Sequence, residues 1–285
     1  MNKMLTVGTK FSGIGKIPIL GGSRLNTLNS IIKAMFANNE QGFFYNPNDL
    51  STMWQDAVGT IPVTAAGQPV GLMIDKSGRN NHAYQTVSAS RPILQRNATT
   101  GAYYLACDGA NDFLVTNNID FTATDKVSLL AGVRKLSDVA TAVVAELGTD
   151  SVTVNGTFGL FAPAGTGLTK FQFLSRGASG TNYARALNAI YNAPISAVLR
   201  GIGSIANQNS ELCVNGVFIE KSATGLTSTG NYSTAPLYIG RRGGTSLPFN
   251  GHIYSLIGIS RLTTDTETLA LEKAIAKQTG VTLNV

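Results

Sequence analysis

Charge is scarce in this chain: 13% of its 285 residues are Asp, Glu, Lys or Arg. The 16 acidic residues never fall at i, i+2 and i+4 of one segment, the spacing that puts several carboxylates on one face of a strand. Asp265 and Glu267 alone are two apart, and they open a helix pattern. Glycoside hydrolysis needs two carboxylates facing the sugar, so the sequence predicts a protein that is not an enzyme, and a polysaccharide depolymerase is disfavoured. Histidine is almost absent. His82 and His252 each follow an Asn-containing turn, and no His-x-x-x-His, Cys-x-x-Cys or Gly-x-Ser-x-Gly motif occurs. Gly13-x-Gly15 lacks the strand and helix of a nucleotide fingerprint. The two cysteines, Cys107 and Cys213, sit far apart in apolar runs, too few for a disulfide framework, and read as buried core thiols of a reducing compartment. No stretch reaches the roughly 20 apolar residues of a membrane span. Residues 1–22 lack the apolar run and small-residue cleavage site of a signal peptide. Synthesis in a cytoplasm without membrane insertion is expected.

What is present is β-forming. With 31 glycines and many Thr, Ser and Asn residues, the composition suits short strands joined by turns. Val127, Leu129, Ala131 and Val133 alternate with Ser128, Leu130, Gly132 and Arg134, the period of a strand. Strands are also predicted at 158–162, 171–174, 195–205, 237–240 and 253–259. Leu212-Cys213-Val214 and Val217-Phe218-Ile219 flank Asn215-Gly216, a two-residue turn in which both residues tolerate positive φ. Two helices break the pattern. Leu25, Leu28, Ile31, Ile32, Met35 and Phe36 line one face of a short helix, preceded by a Gly-rich extended stretch. Near the C-terminus Thr264 with Glu267 forms a capping box, Leu271 and Ile275 a buried stripe, and Gly280 a stop. The prediction is an all-β sandwich or barrel at 43–285, with an arm at 1–42 that packs on it or, by a slight preference, docks into a neighbouring subunit.

Six segments narrow the choice. The first is Phe44-Tyr45-Asn46-Pro47-Asn48-Asp49-Leu50-Ser51, continued by Gln55-Asp56 and Pro69-Val70-Gly71. Then come Asp75-Lys76-Ser77-Gly78-Arg79-Asn80-Asn81-His82-Ala83 and the run 105–114 (LACDGANDFL). Leu212-Cys213-Val214-Asn215-Gly216, Leu237-Tyr238-Ile239-Gly240 and Phe249-Asn250-Gly251-His252-Ile253-Tyr254-Ser255-Leu256 complete the set. In this order they resemble the laminin-G-like, concanavalin A-like jelly-roll domains of phage virion proteins. Cys107, Asn111 and Tyr254-Ser255 depart from that pattern by standing where an aromatic and acidic residues are usual. The resemblance implies a jelly-roll β-sandwich and a virion structural protein of the tail, fibre or capsid-decorating kind. It further implies anchoring through 1–42 to other virion proteins and a homo-oligomer, taken as a trimer. Because the fold often holds calcium on loop oxygens, Asp75, Asp108 and Asp112 are the candidate ligands.

The alternative function is adhesion to host surface polysaccharide. Sugar binding uses aromatic faces and planar polar groups. The loop segments Arg176 to Arg185 and Arg241 to Phe249 have that composition, which makes Arg176, Tyr183, Arg185, Arg241 and Arg242 the candidate ligand-binding residues. The excess of 22 basic over 16 acidic residues is diffuse, with Arg241-Arg242 the only adjacent arginines, so nucleic acid is not an expected partner.

Overall fold

The computed structural model describes residues 28–164, 167–180, 184–186, 190–221 and 227–285. The strands, in chain order, are β1 (Gly42–Tyr45), β2 (Met53–Trp54), β3 (Leu72–Met73), β4 (Ala83–Tyr84), β5 (Ile93–Arg96) and β6 (Tyr103–Asp108). They continue as β7 (Leu114–Asp120), β8 (Lys126–Lys135), β9 (Val143–Leu147), β10 (Phe158–Ala164), β11 (Lys170–Ser175) and β12 (Ala184–Ala186). The last are β13 (Ile195–Ser204), β14 (Asn209–Val214), β15 (Val217–Lys221), β16 (Thr234–Ile239) and β17 (Asn250–Ile259). Helices α1 (Leu28–Met35) and α2 (Asp265–Thr279) flank this series.

The strands form two antiparallel sheets. The eight-stranded sheet runs β15-β14-β13-β8-β17-β6-β5, with β1 pairing the far half of β17, and the nine-stranded sheet runs β12-β11-β10-β9-β16-β7-β4-β3-β2. Their facing sides share one apolar core, to which β8 contributes Val127, Leu129, Ala131 and Val133 as the alternation predicts. The architecture is therefore the expected β-sandwich. Asn215 and Gly216 take φ of 54° and 83° in the β14–β15 hairpin, the left-handed pair that this turn requires. Both cysteines are free and buried.

The helices add a third layer, on the outside of the eight-stranded sheet. Ile31, Ile32, Met35 and Phe36 of the first helical segment pack with Leu271 and Ile275 of α2 over Phe44, Leu130, Val198, Ile257 and Ile259. Strand β8 is thus buried on both faces. Gly132 marks where α2 comes closest, since a Cβ there would lie 2.5 Å from Cγ2 of Ile275. The capping box of Thr264 and Glu267 is formed, and Gly280 closes α2 at φ 74°. Arg261 ties the layer together, donating to both carboxylate oxygens of Glu267 and to the carbonyl of Met35. Its guanidinium holds the Glu267 carboxyl down at about 2. The helical end of the expected arm accordingly packs on its own domain, and Gly42 leads straight into the sheet by pairing with Ile259. Residues 1–27, the rest of that arm, lie outside the described residues. Among the described residues no helix is long and apolar enough to cross a membrane.

Candidate functional site

The loop arginines singled out in the sequence serve the fold. Glu146 of β9 points to the outer side of the nine-stranded sheet and is fully buried there. Arg242 meets it with a two-pronged contact, Nε to Oε2 at 3.0 Å and Nη2 to Oε1 at 2.9 Å, and pairs with Asp150 through Nη1 at 3.0 Å. The amide and hydroxyl of Ser151 also donate to Glu146. Arg176, buried itself, donates to the Asn155 side chain at 2.6 Å and to the carbonyl of Val152. The two arginines therefore grip the 148–157 loop from both sides, a geometry that favours planar guanidinium forks. Arg241 donates to the carbonyl of Thr245 within its own loop. Arg176 and Arg242, candidate ligand-binding residues from the sequence, both direct their guanidinium groups at the protein itself. Arg185 lies in the edge strand β12, opposite Leu174, and Tyr183 falls outside the described residues.

The three aspartates do not converge either. Asp75 is buried and accepts from the amides of Phe44 (2.8 Å), Ser77 (2.8 Å) and Asn81 (3.1 Å), and from the Ser77 hydroxyl (2.7 Å). Nδ1 of His82 accepts from the Asp75 amide, and the Asn81 side chain donates to the carbonyl of Gly42. The 75–83 motif is a polar bracket that fastens this loop to β1. Asp75 sits by Phe44, which pairs with Ile257, whereas Asp108 pairs with Asn250. Seven residues of strand separate those positions, about 23 Å, so one ion cannot join them. Asp108 and Asp112 do lie together, with Asp112 accepting from the Asp108 amide at 3.1 Å. Burial first, and the Asp108 charge second, raise the Asp112 carboxyl to about 6. Among the described residues no group of three or more His, Cys, Asp or Glu is placed to hold a metal.

The outer face of the nine-stranded sheet offers a different site. Over β9, β10 and β11 this face is covered, and Val143, Phe161, Ala164 and Leu174 form a small core with Val152 and Leu247 of the covering loops. Over β2, β3, β4, β7 and β16 no such apolar cluster of covering loops forms among the described residues, although Gly59 lies against Leu72 and the Trp54 ring at one end. Directly paired positions there bring Trp54 beside Leu72, Leu72 beside Tyr84, Tyr84 beside Val115, and Val115 beside Tyr238. Each of these five is half-buried, while the neighbours Met53, Met73, Ala83, Leu114, Leu237 and Ile239 point inward to the core. The row crosses four inter-strand steps, about 19 Å at the usual strand spacing.

Polar groups border the row. The Tyr84 hydroxyl donates to Asn117 at 3.1 Å, and Asn117 is exposed. Phe113 tilts against Tyr238 at 6.5 Å and is held under the 241–249 loop, where a Cβ on Gly244 would lie 2.9 Å from its ring. The arrangement supplies ring surfaces and amphipathic tips along a line, which suits a ligand with apolar C–H faces and a rim of hydroxyls. Sequence reading missed Trp54, Tyr84 and Tyr238 as a group. They lie on three strands, two of those only two residues long, and only register aligns them.

No family model matches the chain, and no curated protein matches it. Solved structures do. The receptor-binding part of botulinum neurotoxin type C, whose cell entry depends on interaction with two ganglioside molecules, matches with a TM-score of 0.53 at 10% identity, over 84% of this chain and 52% of that one. The serotype D ligand-binding domain in complex with N-acetylneuraminic acid matches at 0.53 and 10%, over 86% and 52%. Trypanosoma rangeli sialidase matches at 0.51 and 12%, over 86% of this chain but 34% of its own. The chain thus spans about half the length of the neurotoxin structures and a third of the sialidase. At such identities the likeness is one of fold: it bears on the sandwich, and not on the phage type of laminin-G-like domain that the motifs resemble.

Proposed function

We propose that this chain is a glycan-binding adhesion module whose ligand lies along the Trp54–Tyr84–Tyr238 row. The observation that carries the reading is the row itself: three aromatic and two aliphatic side chains aligned on directly paired strands and each left half-buried. The other half of the same sheet is covered, its apolar side chains packing with Val152 and Leu247 of the loops. Support of a more distant kind comes from the ganglioside and N-acetylneuraminic acid in the names of the neurotoxin neighbours.

The module acts by binding and not by hydrolysis. Glu146, which stands opposite Tyr238 on the paired strand, is fully buried and held by Arg242. A glycan array and a lipopolysaccharide pull-down with the full chain test the reading. Binding should weaken at least tenfold in each of Trp54→Ala, Tyr84→Ala and Tyr238→Ala, the effect of removing a central aromatic anchor. Binding that all three variants retain would sink it.

The order of the laminin-G-like motifs favours a second reading that is compatible with the first, in which the module is carried on a virion and residues 1–27 attach it. Deleting 1–27 should then abolish incorporation into particles while the domain still folds; continued incorporation removes this reading.

A further inference from the structure

The outer face of the eight-stranded sheet is not wholly covered by its helices. Helix α2 reaches Gly132, where Ile275 and Thr279 would touch an added Cβ. One pleat further, Ser196 of β13, Arg134 of β8 and His252 of β17 stand on directly paired positions, all half-buried. Tyr104 of β6 stacks face to face on His252, with ring centroids 4.0 Å apart. Tyr254 backs the group at 5.1 Å from Tyr104, its hydroxyl taken by Asn97.

Apart from the Tyr254 hydroxyl, the side-chain polar groups of this patch show no hydrogen bond or ion pair among the described residues. Arg134 forms no hydrogen bond or ion pair, and neither the Tyr104 nor the Ser196 hydroxyl donates one. Nδ1 of His252 is buried and unpaired. Asp108 shares the face one pleat beyond Ala106, but its Oδ1 is held by the amides of Ala110 and Asn111 at 2.8 and 3.2 Å. Arg242, Arg200 and Arg261, half-buried elsewhere, each hold a carboxylate, while Arg79 and Arg241 each keep a side-chain hydrogen bond and leave only Nε buried and unpaired. Unpaired polar groups set side by side call for a ligand that completes them.

We propose that Arg134, with His252, Tyr104 and Ser196 around it, forms a second ligand site that takes the carboxylate of an acidic sugar residue. A single guanidinium among neutral groups matches a monoanion, and its planar fork matches a carboxylate in two-pronged contact. A doubly charged phosphate would find one cation and no cluster of amides. Burial, with Arg134 adding to it, lowers the His252 imidazole to about 4, so at neutral pH the ring enters this site uncharged. The sugar part of the proposal rests on the glycan-binding reading above, whereas the carboxylate part rests on the surroundings of Arg134.

With only two histidines in the chain, ring NMR of the full protein resolves the site, and His82 serves as the reference. At constant ionic strength, glucuronate or N-acetylneuraminate should raise the His252 titration midpoint by about one unit or more, the effect of an opposite charge a few ångströms away. Glucose should leave it in place. Arg134→Gln, which breaks no hydrogen bond, should abolish the response, and Arg134→Lys should weaken it. Trp54→Ala should preserve it. The proposal is overturned if neither carboxylate moves His252, if glucose moves it equally, or if Arg134→Gln responds as the parent does. Should neutral glycans fail to bind the aromatic row while glucuronate still acts through Arg134, the earlier reading falls and this site stands.

Discussion

On the eight-stranded sheet, α1 and α2 lay an apolar layer over Leu130, Val198, Ile257 and Ile259. On the nine-stranded sheet, loops and a buried ion pair cover one half of the outer face and leave Trp54, Leu72, Tyr84, Val115 and Tyr238 half-buried on the other. The difference lies in the side chains each surface carries. Positions under the helices are apolar throughout, Leu130, Val198, Ile257, Ile259 and Phe44, whereas the row sets Trp54, Tyr84 and Tyr238, whose polar tips tolerate water, among Leu72 and Val115. One face is therefore built for folding and the other is fit for contact.

The strongest way to break this contrast is truncation. Starting the chain at residue 43 removes α1 and cuts into β1, exposing a layer in which each buried Ile, Met or Phe contributes about 2–5 kcal/mol. Several such losses exceed the roughly 5–15 kcal/mol of a typical domain. That fragment should fail to fold by circular dichroism, whereas the full chain should unfold cooperatively. Next in size is Arg242→Ala, which leaves Glu146 buried without its partner and should cost about 3–5 kcal/mol in urea unfolding. Tyr238→Ala should cost under about 1 kcal/mol of stability while glycan affinity falls tenfold or more. Similar stability losses for Arg242→Ala and Tyr238→Ala would erase the distinction between covered and open halves.

The smallest effect is in pH. Asp112 is raised from 3.8 to about 6 in the folded chain, so between those values the folded state holds a proton that the unfolded state has released, and stability rises as pH falls. His252 is lowered from 6.5 to about 4, so over its window the unfolded state holds the extra proton, and stability falls as pH falls. The two oppose each other and largely cancel between pH 6 and 5, below which Glu267, lowered from 4.5 to about 2, makes stability fall as the unfolded chain takes up its proton. Asp112→Asn should make stability drop on acidification and His252→Gln should make it rise, each by at most about 1.4 kcal/mol per pH unit. Chemical denaturation at stepped pH reads both slopes.

Much of the sandwich was legible along the chain because local patterns carry it. The alternation from Val127 to Val133, the Asn215-Gly216 turn, the Thr264–Glu267 box and the Gly280 stop are each short-range signals, and each is realised. The helix at Ile31 to Phe36 was also legible, but not its destination, since an amphipathic stripe specifies that it will be covered and not by what. The functional surfaces were less accessible. Arg176 and Arg242 have the composition of a binding loop, and only their folded surroundings turn them into pins for the 148–157 loop. Trp54, Tyr84 and Tyr238 form a row, and Arg134 faces His252, because register aligns residues of distant strands. Sequence by itself determined the β class, the hairpin turn and the helix ends, where the decisive atoms lie within a few residues of one another. Tertiary structure alone decided which faces are covered, which partners the arginines take and which side chains meet, because those depend on contacts between different elements, such as Arg242 with Glu146 and Arg134 with His252, that no local pattern specifies.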